Sequence, residues 1–250
     1  MITSGPPEAT SIQYSAGIFR NLPEMGMEAS AEVFYKLTDD YTEYRDGADF
    51  INNPLTETVV LQGEQESYGV ELLLKRNSGR LNGWLAYTWS RSFVHVTGTQ
   101  PWEQINNGKV YPSNYDIPHA MNAVLNYSFS KRITLSGVIT YQKGKPVTYP
   151  VSVYYIDEIP TIDFYERNKY RIPDYFRTDL SLTIEGNLKK DKLIHSSWMF
   201  SLYNATGRKN AYSVYFMSEQ ARIRSYKYSV FGVPFFTATW LFKLGNYASQ

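Results

Sequence analysis

No cysteine occurs in the 250 residues of the chain. That excludes a thiolate metal centre, a disulfide scaffold and a cysteine nucleophile, and it is compatible with an oxidising compartment. Histidine is scarce: His95, His119 and His195 are scattered and form no zinc-binding spacing. Nucleophile elbow, phosphate loop and dinucleotide fingerprint are all missing. No serine, histidine and carboxylate come together with local support for a triad. An enzyme is therefore not expected, nor a cofactor or a metal site. Charge of one sign is not in excess either, since 25 basic residues face 24 acidic ones. No global field then argues for nucleic acid as a partner.

Long apolar runs are also missing. No stretch approaches the ~20 residues that a transmembrane helix needs, and the mean hydropathy is −0.39. A transmembrane barrel would give a similar average, because its strands alternate lipid-facing and lumen-facing residues. The opening residues Met1–Pro7 have neither the basic region nor the apolar core of a signal peptide. An outer-membrane protein needs such a signal. The expectation is that it was removed, or that the sequence begins inside a longer protein.

Aromatic residues are plentiful: 22 Tyr, 13 Phe and 5 Trp. Tyrosine joins an apolar ring to a polar tip and suits strands, binding loops and membrane interfaces alike. Helical periodicity is nearly absent, and alternation with period 2 dominates. Over Leu85–Phe93, one face collects Leu85, Tyr87, Trp89 and Phe93, and the other Ala86, Thr88, Ser90 and Ser92. Over Met121–Phe129, apolar Met121, Ala123, Leu125, Tyr127 and Phe129 face away from Asn122, Val124, Asn126 and Ser128. Over Ile133–Gln142, Ile133, Leu135, Ile139 and Tyr141 oppose Thr134, Ser136, Thr140 and Gln142. The contrast is sharpest over Phe176–Glu185, where Phe176, Leu180, Leu182 and Ile184 oppose Arg177, Asp179, Ser181, Thr183 and Glu185. Further strands fit around Ile12–Arg20, Glu28–Tyr44, Tyr68–Arg76, Trp198–Phe216 and Phe235–Leu244.

The total is about nine strands, many near the ~9–11 residues that a tilted strand needs to cross a bilayer. Short or polar connections fall at Asn21–Met27, Asn77–Arg80, Ser130–Arg132 and Gly186–Ser196. Long ones fall at Asp46–Glu66, Val94–Pro118, Lys143–Tyr175 and about Met217–Ser229. Short turns on one side and long loops on the other are the habit of outer-membrane barrels. Aromatics gather at strand ends, as in a girdle at each interface. The fold class expected is all-β, made of antiparallel transmembrane β-barrel strands, with a soluble β-sandwich as the plainer alternative.

Several stretches resemble TonB-dependent receptors of Bacteroidetes. They are Tyr68–Lys75 (YGVELLLK), Leu81–Ser90 (LNGWLAYTWS), Tyr111–His119 (YPSNYDIPH) and Tyr175–Leu182 (YFRTDLSL). Ser201–Tyr212 (SLYNATGRKNAY) occupies the place of that family's asparagine-containing penultimate strand, and Phe235–Leu244 that of its closing strand. The resemblance implies a 22-stranded barrel around an N-terminal plug, with TonB engaged through a coupling segment near the N-terminus. It also implies that the last strand runs towards the periplasm. Gly186–Ser196 would then be a periplasmic turn and Lys143–Tyr175 an extracellular loop. The chain departs from the family in lacking plug and coupling segment, and in running on through Gly245–Gln250 past the last strand. Residues 1–250 are thus expected to form the C-terminal part of a receptor barrel, in the outer membrane of a Gram-negative bacterium.

The long loops hold the candidate contacts for substrate or partner. These are Trp102, Tyr111 and Tyr115 in one loop, and Tyr154, Tyr155, Asp157, Glu158 and Asp163 in another. Aromatics beside carboxylates suit sugars, peptides or a surface lipoprotein. Asp157, Glu158 and Asp163 offer oxygen ligands for calcium, but not at the spacing of an EF-hand loop. Arg177, Asp179 and Glu185 share one strand face and are expected to line the lumen. The function expected is the barrel wall and outer vestibule of an active transporter for a siderophore, glycan, peptide or vitamin. Its partners would be the plug and upstream strands, the TonB complex through the missing N-terminal part, membrane lipid and a surface lipoprotein. A complete small pore or adhesin, and a soluble all-β binding domain, are the alternatives.

Overall fold

The computed structural model describes residues 8–48, 56–157, 159–164, 166–186, 194–219 and 222–245. Strands β1 (Thr10–Leu22), β2 (Met27–Tyr44), β3 (Val60–Arg76) and β4 (Leu81–His95) come first, and a two-residue β5 (Tyr111–Pro112) pairs with the end of β4. Then come β6 (His119–Ser128) and β7 (Ile133–Gln142). The connection that follows carries β8 (Pro146–Val147), β9 (Pro150–Ile156), β10 (Ile159–Phe164) and β11 (Tyr170–Arg171). After β12 (Tyr175–Glu185) and β13 (Ile194–Tyr203), β14 (Ser213–Glu219) and β15 (Arg222–Tyr228) form a separate hairpin. Strand β16 (Phe235–Leu244) ends the described fold.

The main sheet follows the order β1-β2-β3-β4-β6-β7-β12-β13-β16, antiparallel at every step. Its short connections, 23–26, 77–80 and 129–132, lie on one side. The long ones, 45–59, 96–118, 143–174 and 204–234, lie on the other. Antiparallel neighbours require successive connections to alternate sides, and the grouping of short against long agrees with the sequence reading.

Cross-strand register keeps the two faces distinct. Leu182 stands opposite Leu135 and Phe200, Leu135 opposite Tyr127, and Tyr127 opposite Leu81. On the other face Ser181 stands opposite Ser136 and Ser201, and the row continues through Asn126 to Asn82. Hydrogen bonds run along this polar face, from Asn126 to Asn82 and between Ser128 and Thr134. The apolar face lies open: Leu72, Leu74, Leu85, Leu125, Leu135, Leu180, Trp198 and Trp240 are all exposed. Trp198 stacks on Trp240 at 6.0 Å and Phe200 on Phe236 at 6.2 Å. Isolated exposed leucines are ordinary in soluble proteins, but a whole exposed apolar sheet face calls for an apolar surround. Within the main sheet's path little is buried. The buried cluster of Val94, Val96, Ile105 and Tyr111 sits where β4 runs into the long loops.

The sequence reading needs correction in the loops. Strand β3 starts at Val60, well before the expected Tyr68. Val60–Gly63 pair with Tyr41–Tyr44 beyond a bulge, where Asp40 adopts a positive φ. The polar run Gln62–Glu66 carries no alternation to reveal it. The strand expected over Trp198–Phe216 breaks after Tyr203. There Asn204 takes a left-handed conformation and its amide donates to the carbonyls of Arg208 and Phe231. Val214–Phe216, expected as the end of that strand, belong instead to the β14–β15 hairpin, whose remainder falls in the stretch Met217–Ser229 read as loop.

Candidate functional site

The long connections do not hang separately but lock together above the sheet. Arg167 is central. Its Nη1 pairs with Glu43 at 3.2 Å, and its Nη2 and Nε reach Asp46 at 2.6 and 3.1 Å. Asn106 accepts from the backbone N–H of Arg167 and donates to its carbonyl, joining two loops reciprocally. The side-chain amide of Asn168 donates to the carbonyl of Pro112 and the side chain of Asn114. Its backbone N–H donates to Thr148.

A second knot forms around Asp116, whose side chain is fully buried. It accepts from Arg91 at 3.2 Å, from the backbone N–H of Ser92 at 2.8 Å and from Arg171. Arg171 also donates to the carbonyls of Asp116 and Gly144. At Gly144 the two arms of the 143–174 connection cross so closely that a Cβ would collide with the carbonyl of Ile172. Asp174 closes this neck by accepting from the Tyr141 hydroxyl, Lys143 and the backbone N–H of Gly144. Burial works against the charge of Asp174, but those three donors outweigh it and hold the carboxyl below its ordinary range. Burial pushes the Tyr111 hydroxyl well up, and nearby Glu43 adds to the effect.

The last long connection is tied to β12 by side chains. Asn210 accepts from the N–H of Phe176 and donates to its carbonyl, both at 2.9 Å, as a neighbouring strand would. Arg208 donates to the carbonyl of Asp174. Within this tier lies a cavity of about 570 Å³, walled by Glu43, Asp46, Tyr154, Asp163, Phe164 and Arg167 among others. A smaller one of about 230 Å³ lies between the neck and the β14–β15 hairpin, against Tyr149, Tyr170 and Phe216.

The loop candidates fall into different settings. Tyr154 and Asp163 line the larger cavity. Tyr111 is only 2% exposed, so its ring supports the loops from within. Trp102, Tyr115 and Tyr155 are exposed. Asp157 sits at the β9–β10 turn with a positive φ, and Glu158 lies outside the described residues. Arg177 and Asp179 form an ion pair at 3.0 Å on the polar face, and Arg177 also donates to the Tyr203 hydroxyl. Glu185 is at the far end of β12, where its N–H donates to the Arg132 carbonyl. Among the described residues no group of three histidines or carboxylates converges as a metal site would require.

Sequence reasoning missed Glu43, Asp46, Asp116, Arg167, Asn168 and Asp174. Arg167 lies 121 residues from Asp46, and no local pattern joins them.

Residues 4–205 match the family model described as TonB dependent receptor-like, beta-barrel. The fold is also similar to solved structures. The ferric-catecholate import receptor Fiu from E. coli K12, in its closed form, superposes with a TM-score of 0.56 at 13% identity. The match covers 94% of this chain and 28% of that one. The ferripyoverdine receptor of the Pseudomonas aeruginosa outer membrane, bound to ferripyoverdine, gives a TM-score of 0.55 at 13% identity, over 94% of this chain and 27% of that one. At such identity the likeness speaks for the fold alone. The chain spans little more than a quarter of the solved receptors it matches. No curated protein matches the sequence.

Proposed function

We propose, from the premise that this chain belongs to the TonB-dependent receptor-like β-barrel family, that it forms the C-terminal wall and the outer vestibule of an active nutrient importer. Members of the family are transporters rather than enzymes, and they reside in the outer membrane of Gram-negative bacteria. That locates this chain in the outer membrane. The narrower Bacteroidetes type has no support beyond the sequence resemblance.

The observation that carries the reading is the nine-strand antiparallel path with an exposed apolar face, a polar face behind it and all long connections on one side. Lipid would cover the apolar face, and the polar face would line a wet lumen around the plug. Arg177, Asp179 and Glu185 are then wall residues of that lumen. The interlocked loops form the vestibule where cargo first docks, with the exposed Trp102, Tyr115 and Tyr155 as contacts for a surface lipoprotein. The cargo is a siderophore, glycan, peptide or vitamin. Energy would enter through TonB at the part of the receptor upstream of this chain.

A complete small pore or adhesin has less support, because the main sheet follows a path of nine strands among the described residues, an odd number, and bacterial barrels close with even ones. Deletion of the receptor gene should abolish uptake of one cargo from a panel of ferric siderophores, oligosaccharides, peptides and cobalamin. Loss of TonB should abolish the same uptake. Uptake that persists without TonB would replace the transporter by a pore. An epitope inserted at Tyr155 should also be detected on intact cells.

A further inference from the structure

The lining of the larger cavity has an unusual balance of charge and hydrogen-bonding capacity. It presents three carboxylates, Glu43, Asp46 and Asp163, and one guanidinium, Arg167. One positive charge against three negative ones leaves an excess of two negative charges. All three guanidinium nitrogens of Arg167 already face Glu43 and Asp46. Both protons of the Asn168 side-chain amide are also used, on Pro112 and Asn114. The one cationic group of the lining is thus committed to two of its carboxylates.

Acceptors remain. Asp163 takes one hydrogen bond among the described residues, from the Ser152 hydroxyl at 3.1 Å. Among the described residues, Asp46 accepts from Arg167 on a single oxygen. A carboxylate has room for about four donors. The buried Tyr111 hydroxyl lies near Glu43 and Arg167 and has no hydrogen-bond partner of ordinary geometry among the described residues. Three aromatic rings complete the lining, from Tyr44, Tyr154 and Phe164, each about half exposed. Ring faces attract cations, and such contacts strengthen where water is partly excluded.

A compact metal ion does not fit. Hard cations take six or more oxygens around one point, and among the described residues no three carboxylates converge. An anionic group would meet a net excess of carboxylates, with the one guanidinium already paired to two of them. We infer that this cavity receives a ligand bearing spaced ammonium or guanidinium groups, such as a basic oligopeptide, with its cations on Asp163 and Asp46 and its alkyl stems against Tyr154 and Phe164. This rests on the reading of the loop tier as the outer vestibule.

Isothermal titration calorimetry on the full receptor in detergent tests it, with trilysine, triglycine and triglutamate as probes at low salt. Trilysine should bind at least about tenfold more tightly than triglycine, and triglutamate should not bind measurably. Asp163→Asn keeps the shape and removes one charge, and should weaken trilysine by about tenfold. Tyr154→Ala should weaken it as well, through loss of the ring. Equal affinity for the three probes, absence of trilysine binding, or an unchanged affinity in Asp163→Asn would each overturn the inference. Binding in detergent requires neither TonB nor an energised membrane, so failure here is distinct from failure of uptake in cells.

Discussion

At the scale of single residues, a few polar side chains decide whether the loop tier holds. Asp116 is the deepest of them, fully buried and bonded to two arginines and a backbone N–H. Removing one partner of a buried pair leaves the other charge uncompensated. Asp116→Ala should therefore destabilise the tier by about 3 kcal/mol, at the lower end for such pairs because both arginines keep some solvent. Limited trypsin digestion should show earlier cleavage at Arg167 and Lys169 in the variant, with the strands still protected. Asp174 gives a test by pH. Its carboxyl is held below the ordinary range, so the anchoring it provides is complete above the unfolded-state value near ~4 and is lost as pH falls through its lower folded value. A spin label on Lys145→Cys, beside the neck, should stay immobile at neutral pH and loosen in strong acid. In Asp174→Asn the label should already be mobile at neutral pH. A label equally immobile in both proteins would remove Asp174 from the neck.

At the scale of elements, the strands and the loops obey different rules, and this determined what could be read in advance. Each main strand separates two environments, so Leu180 and Leu182 alternate with Ser181 and Thr183, and the pattern is printed in the sequence. Nine such strands and their three tight turns are legible in that way. Strands β8–β11, β14 and β15 are short and lie within the connections, where too few residues repeat for a period to stand out. Within the loops composition also misleads. Tyr111 and Tyr115 sit four positions apart in similar company, yet one is 2% and the other 74% exposed. Long-range partners decide between them, and a linear reading does not see those partners. The strand faces carry their own test. Cysteine at Ser181 should react with a water-soluble thiol reagent and cysteine at Leu180 should not. Equal labelling would mean that the apolar face is wet. Leu182→Arg should cost about 2–4 kcal/mol in urea-unfolding measurements in lipid if that site lies near the midplane.

At the scale of the whole molecule, the sheet is an open path with two free margins among the described residues. Strand β1 pairs only with β2, and β16 only with β13. Both run from the loop side to the turn side, so joining them would require a parallel seam. Unpaired backbone groups at a margin cost several kcal/mol each in hydrocarbon. The chain expressed alone in detergent should therefore give no heat-modifiable monomer on electrophoresis, and a compact monomeric barrel would speak against the family architecture for this segment. Co-expression with the upstream strands should restore the folded band. The odd number of crossings has a further consequence for the cell. In the proposed orientation, the segment around Glu8 and Ala9, at the head of β1, would open towards the outside, and Leu244 at the foot of β16 towards the periplasm. A protease added to living cells could cut the receptor at that first point and no longer reach the second. Each piece would then stay in the wall, stitched to the other by backbone hydrogen bonds alone, so a receptor severed from outside should remain a barrel until it is boiled.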